Sequence, residues 1–362
     1  MLKISKRIIF SALSVLLICV MCFPMYSCGI RDRDKYTNYV MDSYGRDVSI
    51  PKNVEKVATV GSATRLVVYA GAIDKLCAIT EMDRPTELRP YTMVNPELFS
   101  SLPTTNNGNH INEIDVDTEK LIEIQPDIII STRSAEECEA LEEKTKIPVI
   151  GVVTLNEILQ TSLWESIQIV AKATGTDEAA NILLGRLNKI YSEVSNVCIG
   201  GTASIYRGAI NYKGSKGITG TISNFSVYQA IKANSVSDIP DFEGAYDTNL
   251  EQILSWNPDY IVIDCTNINK VKEDINNNPE VFANLKAFKN KNVYVAGTFN
   301  NNGTNSEYGL CEMFMTAKML YPDKFAYLDL EQKYSEIIKT LLGKDIYPEL
   351  KARGITFGKA NI

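Results

Sequence analysis

Beyond residue 50 the chain alternates short apolar runs with stretches whose apolar positions recur at helical spacing. The pattern predicts strands over Val54–Val60, Leu76–Thr80, Asp127–Ser131 and Pro148–Val153, separated by helices over Ser62–Ala72, Val116–Ile124 and Ala135–Lys146. Strands this apolar, with helices between them, belong in a mainly parallel sheet covered on both faces. Ahead of them, Tyr39–Asp42 and Asp47–Pro51 read as a hairpin closed at Gly45.

The rhythm breaks at Thr176–Cys198. Thr176 can cap a helix there, and Asp177 and Glu178 suit its positive first turn. The stripe Ala180, Leu183, Leu184, Leu187, Ile190, Tyr191 and Val194 runs on until Gly200-Gly201. Such a helix spans roughly 33 Å, the breadth of a small domain, which favours a strut between two lobes that the chain crosses only once. Alternation then resumes. Strands are expected over Ala203–Asn211, Asp259–Asp264 and Val293–Ala296, and helices over Ser223–Ala233, Leu250–Trp256, Pro279–Phe288, Tyr308–Leu320, Leu330–Leu342 and Tyr347–Arg353. One unit recurs: Glu119-Lys-Leu-Ile-Glu-Ile-Gln-Pro-Asp-Ile-Ile-Ile aligns without gaps with Glu251-Gln-Ile-Leu-Ser-Trp-Asn-Pro-Asp-Tyr-Ile-Val. Pro126 and Pro258 stop the helix, because a prolyl ring disfavours helical geometry in the residue before it. The repeat implies two pseudo-equivalent halves.

The beginning of the chain has a different character. Lys3, Lys6 and Arg7 precede an apolar run to Met25, and Ser27-Cys28 follows, as in an export signal whose cysteine is acylated. An uncleaved membrane anchor is the alternative, and both tether the body outside the cytoplasm. The expected division is a signal at 1–28, a polar tether at 29–38, an N-terminal lobe at 39–165, connecting helices at 166–199 and a C-terminal lobe at 200–362.

Net charge sharpens the picture. Losing those three cations takes the formal charge from −7 to −10, which argues against nucleic acid as a partner. The single histidine, His110, excludes a bare metal held by several imidazoles. Cys77, Cys138, Cys198, Cys265 and Cys311 are odd in number and unpatterned in spacing, so isolated buried thiols are expected rather than a disulfide framework.

The lipobox-like start, the Asp42–Pro51 hairpin, the Val54–Val60 strand, the two Glu-x-Leu/Ile-x-x-x-x-Pro-Asp units and the long helix together resemble ABC-transporter substrate-binding lipoproteins of the iron-complex and cobalamin class. The resemblance implies an α/β fold of two Rossmann-like lobes joined by a single long α-helix, with little hinge motion and the ligand cleft between the lobes. It also implies a monomer without a resident cofactor that captures a ferric siderophore or haem and delivers it to a permease dimer with its ATPase. Cobalamin and molybdate or tungstate are the alternative cargoes. In cobalamin-binding relatives one glutamate per lobe pairs with permease arginines, which carries over to Glu119 and Glu251.

In open α/β sheets, ligands bind beyond the carboxyl ends of the strands. The segments following the expected strands offer Arg65, Arg84, Arg89, Tyr91, Asn107, His110, Arg133, Tyr212, Lys216, Asn300 and Asn301. This cationic, phenolic and amide chemistry suits an anionic ligand, although each group also has an ordinary packing or salt-bridge reading. With one histidine no Ser-His-Asp set can be assembled, so binding is expected in place of catalysis. The competing enzyme reading would use a carboxylate base such as Asp264.

Overall fold

The computed structural model describes residues 36–106, 116–153, 161–198, 200–211 and 214–362. Cys28, Asn107, His110 and Tyr212, with the signal segment, lie outside these. The hairpin pairs β1 (Tyr36–Met41) with β2 (Asp47–Pro51), starting three residues earlier than expected. Gly45 takes φ +76° at its turn, a conformation open to glycine without strain. Asp42 fixes the turn: it accepts from Arg46 at 2.6 Å and from the Gly151 amide at 3.0 Å, tying the hairpin to the sheet behind it.

Two parallel sheets follow. The first contains β3 (Val57–Val60), β4 (Leu76–Ala78), β5 (Ile128–Ser131) and β6 (Val149–Gly151) in the order β4-β3-β5-β6. The second contains β7 (Ser204–Gly208), β9 (Asn234–Ser235), β11 (Tyr260–Asp264) and β12 (Val293–Ala296) in the order β9-β7-β11-β12. β13 (Gly358–Lys359) adds antiparallel to β12. Apart from that strand, both sheets have the same order. Apart from β9 and β13, their strands are almost wholly buried, as apolar strands covered on both faces require.

The repeat is equivalent in detail. Helix Thr118–Ile124 starts on Asp117, which accepts from the Lys120 amide, and ends at left-handed Gln125. Helix Leu250–Trp256 starts on Asn249, which accepts from the Gln252 amide, and ends at left-handed Asn257. After each proline an aspartate ties the strand that follows it to the first strand of its sheet. Asp127 accepts from the Glu55 and Lys56 amides at 2.8 Å, and Asp259 from the Ser204 amide at 2.8 Å.

Between the sheets run helices Thr161–Thr174 and Asp177–Ser195. The second has 19 residues and so spans about 28 Å, somewhat short of the expected length. The chain passes from one sheet to the other once. Its C-terminal part nevertheless returns, since helix Leu330–Leu342 packs on Ser306–Leu320, on Asp177–Ser195 and on the N-lobe helix Thr64–Tyr69.

Several local expectations are corrected. The helix expected over Ser223–Ala233 occupies only Ser226–Ala230, because Asn224 and Lys232 are left-handed and Ser223 ends a strand. That strand, β8 (Gly220–Ser223), pairs antiparallel with β10 (Gly244–Asp247) in a ribbon the sequence pattern did not reveal. Pro279–Phe288 is two short helices broken at extended Leu285. The five thiols are free, and Cys77 is only partly buried. Burial raises Cys77 and Cys198 to about 11 and Cys265 to about 12, which favours the thiol form at neutral pH.

Candidate functional site

In each sheet the chain reverses its direction of progress beside the first strand, so the crevice at the switch lies between β3 and β5 in one lobe and between β7 and β11 in the other. The side chains there are polar. At the first, the Ser62 amide donates to Thr132 Oγ1 at 2.9 Å, and Arg133 follows immediately. Arg133 is fixed by Glu137 at 3.3 Å, while its carbonyl accepts from Tyr44 at 2.6 Å; burial lowers the pKa of its guanidinium. At the second, Asn267 donates to the Ala209 carbonyl at 2.7 Å and to Asn211 Oδ1 at 3.0 Å, and Ser215 donates to Asn267.

The carboxyl ends of the two sheets meet. Arg65, on the helix after β3, is fully buried and reaches into the loop after β12, where it donates to the carbonyls of Thr304, Asn301 (3.1 Å) and Asn302 (2.8 Å) and to Asn305 Oδ1 (3.2 Å). Arg89 donates to the Asn301 side chain. Asn305 returns a bond to the Leu88 carbonyl at 2.9 Å, and Tyr308 donates to the Glu87 carbonyl at 2.7 Å. Tyr69 donates to buried Glu307. The guanidinium of Arg65 also lies 4.8 Å from the centre of the Tyr91 ring. Tyr91 in turn donates to Asp83, which Thr64 and Thr80 bind from the other side at 2.6 and 2.7 Å. Burial raises the phenol of Tyr91, with the Asp83 charge adding to it, so it stays a donor. Burial also lowers Arg89, without taking an arginine out of its charged form at neutral pH.

Four expected residues therefore converge: Arg65, Arg89, Tyr91 and Asn301. Asn300 stands beside them, bridged to Thr304. Arg84 does not join the cluster; it donates to the carbonyls of Phe99, Ser100 and Leu102 and closes the end of helix Pro96–Ser101. Lys216 pairs with Asp247 at 2.8 Å near the ribbon.

The sequence profile described as periplasmic binding protein matches residues 57–298. The chain belongs to that family. No curated protein matches it by sequence. Among solved structures, a periplasmic solute binding protein from Veillonella parvula is 17% identical with a TM-score of 0.68, over 88% of this chain and 96% of that one. The molybdate periplasmic binding protein MolA of Haemophilus influenzae, bound to molybdate, is 17% identical with a TM-score of 0.63, over 85% and 99%. The periplasmic heme binding protein HutB of Vibrio cholerae is 16% identical with a TM-score of 0.54, over 74% and 99%. At these identities the likeness establishes the two-lobed α/β fold.

Membership makes this periplasmic binding protein a transport component that acts outside the cytoplasm with a permease and an ATPase, and not an enzyme. Among the described residues no helix is long and apolar enough to cross a membrane. Asp264, the candidate base, is buried and accepts from Thr266 (2.7 Å) and Thr298 (2.9 Å). Its pKa is raised by burial, and its hydrogen bonds knit β11 to the segment after β12.

Sequence reasoning missed Asn305, Glu307, Tyr69 and Tyr308 at the lobe contact, and Arg207 with Glu312 inside the C-terminal lobe. The Asn300–Asn302 run pointed at the right loop, but the partners lie more than 200 residues away in the chain. The signal for Glu307 and Glu312 in the sequence is that they stand in a helical stretch, Ser306–Leu320, whose other residues are mostly apolar.

Proposed function

We propose that this periplasmic binding protein captures an anionic iron chelate, a ferric siderophore or haem, between its lobes and delivers it to the permease. The observation that carries the reading is that the segments after β3 and β12 meet, which brings the carboxyl ends of the two sheets together. Ligands of open α/β sheets bind at such switch points. Arg133 and the Asn211–Asn267 pair border the two switch points, and Tyr212 adjoins the second in sequence. Arg65, Arg89 and Asn301 act as the tie between the lobes. A single histidine favours a cargo that brings its own metal ligands, since a bare ion would need several from the protein. Likeness to the haem-binding HutB agrees with a chelate, and likeness to molybdate-bound MolA supports an oxyanion as the second reading. Cobalamin is a third cargo for the same crevice.

In this reading Cys28 carries the lipid anchor, the mature protein is a monomer, and the lobes comprise residues 39–165 and 200–362, with connecting helices at 166–199. Glu119 and Glu251, exposed at the starts of the repeated helices, pair with basic side chains of the permease. Thermal-shift titration with ferric siderophores, haem, cobalamin, molybdate and tungstate tests the cargo. Stabilisation by a ferric siderophore or haem alone is the expected result; stabilisation by molybdate or tungstate alone would replace it with the oxyanion reading.

A further inference from the structure

The repeated helices share more than their glutamates. On each, the residue one turn after the glutamate is a large aliphatic group left in solvent: Ile122 is 48% exposed and Leu254 is 37% exposed. Positions three apart lie on one helix face, so Glu119 stands beside Ile122 and Glu251 beside Leu254. The residue just before each aliphatic, Leu121 or Ile253, is completely buried and anchors its helix. The side-chain caps and left-handed ends are also the same. An exposed aliphatic by itself is ordinary. Two of them at equivalent places in a duplicated unit, each next to a carboxylate, form a matched pair of surfaces. The match is incomplete, because Lys120 and Glu123 of the first helix correspond to Gln252 and Ser255 of the second.

We infer that Ile122 and Leu254 are the apolar halves of two docking facets that seat in two equivalent apolar recesses, each bordered by a basic side chain, on the cognate permease dimer. The inference rests on the docking role proposed for Glu119 and Glu251 and adds to it a part that salt does not screen. The duplication argues for a partner with two equivalent sites, and the carboxylates argue for basic borders. Charge brings the partners together and sets register, while desolvated aliphatic area slows dissociation.

The test uses the whole mature protein with its permease–ATPase complex in lipid nanodiscs, comparing wild type, Ile122→Ser/Leu254→Ser, Ile122→Leu/Leu254→Ile and Glu119→Lys/Glu251→Lys. Affinity is read at low and at high salt, and melting temperature and ligand affinity are recorded for each variant. The serine pair is expected to weaken binding about tenfold or more at both salt concentrations, with folding and ligand affinity unchanged and the aliphatic swap close to wild type. The charge reversal is expected to abolish binding at low salt. Wild-type affinity in the serine pair, with loss in the charge reversal, overturns the aliphatic facets and leaves the glutamate docking intact. Wild-type affinity in both overturns the docking reading itself. Should the serine pair melt early, Ile122→Gln/Leu254→Gln takes its place, with the same loss expected and wild-type binding again overturning the inference.

Discussion

Among the described residues two arginines, Arg65 and Arg207, are almost completely buried, and they are held in different ways. Arg207, on β7, lies within the C-terminal lobe with its Nε 2.8 Å from Glu312 Oε1, and Tyr228 donates to the same carboxylate at 3.3 Å. Burial alone would lower its pKa, but the Glu312 charge more than offsets this and raises it. Among the described residues Arg65 has no carboxylate partner in hydrogen-bond contact; three carbonyls and one amide oxygen of the opposite lobe accept from it, and an aromatic ring lies against it. The first is a charge neutralised inside one body. The second is a charge distributed over dipoles between two bodies. A carbonyl cluster can part from a guanidinium more easily than a carboxylate can, because no uncompensated anion is left behind. The contrast suits a rigid lobe on one side and a contact between lobes that can part on the other.

Removing Arg207 gives the largest effect. Arg207→Met leaves Glu312 buried and unpaired, and urea denaturation should show a loss of roughly 3–5 kcal/mol. Adding Glu312→Leu should restore most of it, since replacing both partners of a buried pair with apolar groups is often close to neutral. If the double variant stays as unstable as the single one, the pair is not the unit the comparison takes it to be.

The tie between the lobes is next. Arg65→Met should cost about 1–3 kcal/mol, less than Arg207→Met. Its signature is positional: amide hydrogen exchange should quicken in residues 299–308 and 84–91 while β7 and β11 keep their protection. Gly303 gives a milder version. Its φ is +95°, and a Cβ there would lie 3.3 Å from Arg65 Nε, so Gly303→Ala should loosen the same segments at about 1 kcal/mol. Uniform loss of protection across both lobes would contradict a local tie.

The difference between these arginines also marks what a single sequence can convey. The strand and helix alternation, the Pro-Asp repeat and the hairpin at Gly45 were legible because each is encoded by neighbours in the chain. Helix Thr161–Thr174 has a usable stripe in Leu163, Ile167, Val170 and Ala171, although the expected boundary at residue 166 cuts through it. Arg65 read as a group at a helix start facing a ligand. Its actual partners, more than 200 residues on, are set by how the lobes meet, and no local pattern encodes that. The β8–β10 ribbon was missed for a related reason: four-residue strands are stabilised by each other and by Thr221 donating to the Arg207 carbonyl at 2.7 Å, not by their own periodicity.

Glu307 supplies the smallest and most specific test of the lobe contact. Its carboxyl is fully buried, Tyr69 donates to it from the other lobe, and burial raises its pKa above the ordinary 4.5. A carboxyl with a raised folded-state pKa binds its proton more tightly in the native state than in the unfolded one. Its contribution is therefore fully present below about pH 4.5 and declines as pH rises through the folded value. Glu307→Gln keeps the shape and an oxygen for Tyr69 but removes the titration. Relative to wild type, the variant should gain stability as pH is raised from 4.5 towards neutrality, by less than the loss in Arg65→Met. A pH-independent difference between Glu307→Gln and wild type would mean that the carboxylate is solvated in the folded protein, and that the two lobes are not sealed around it.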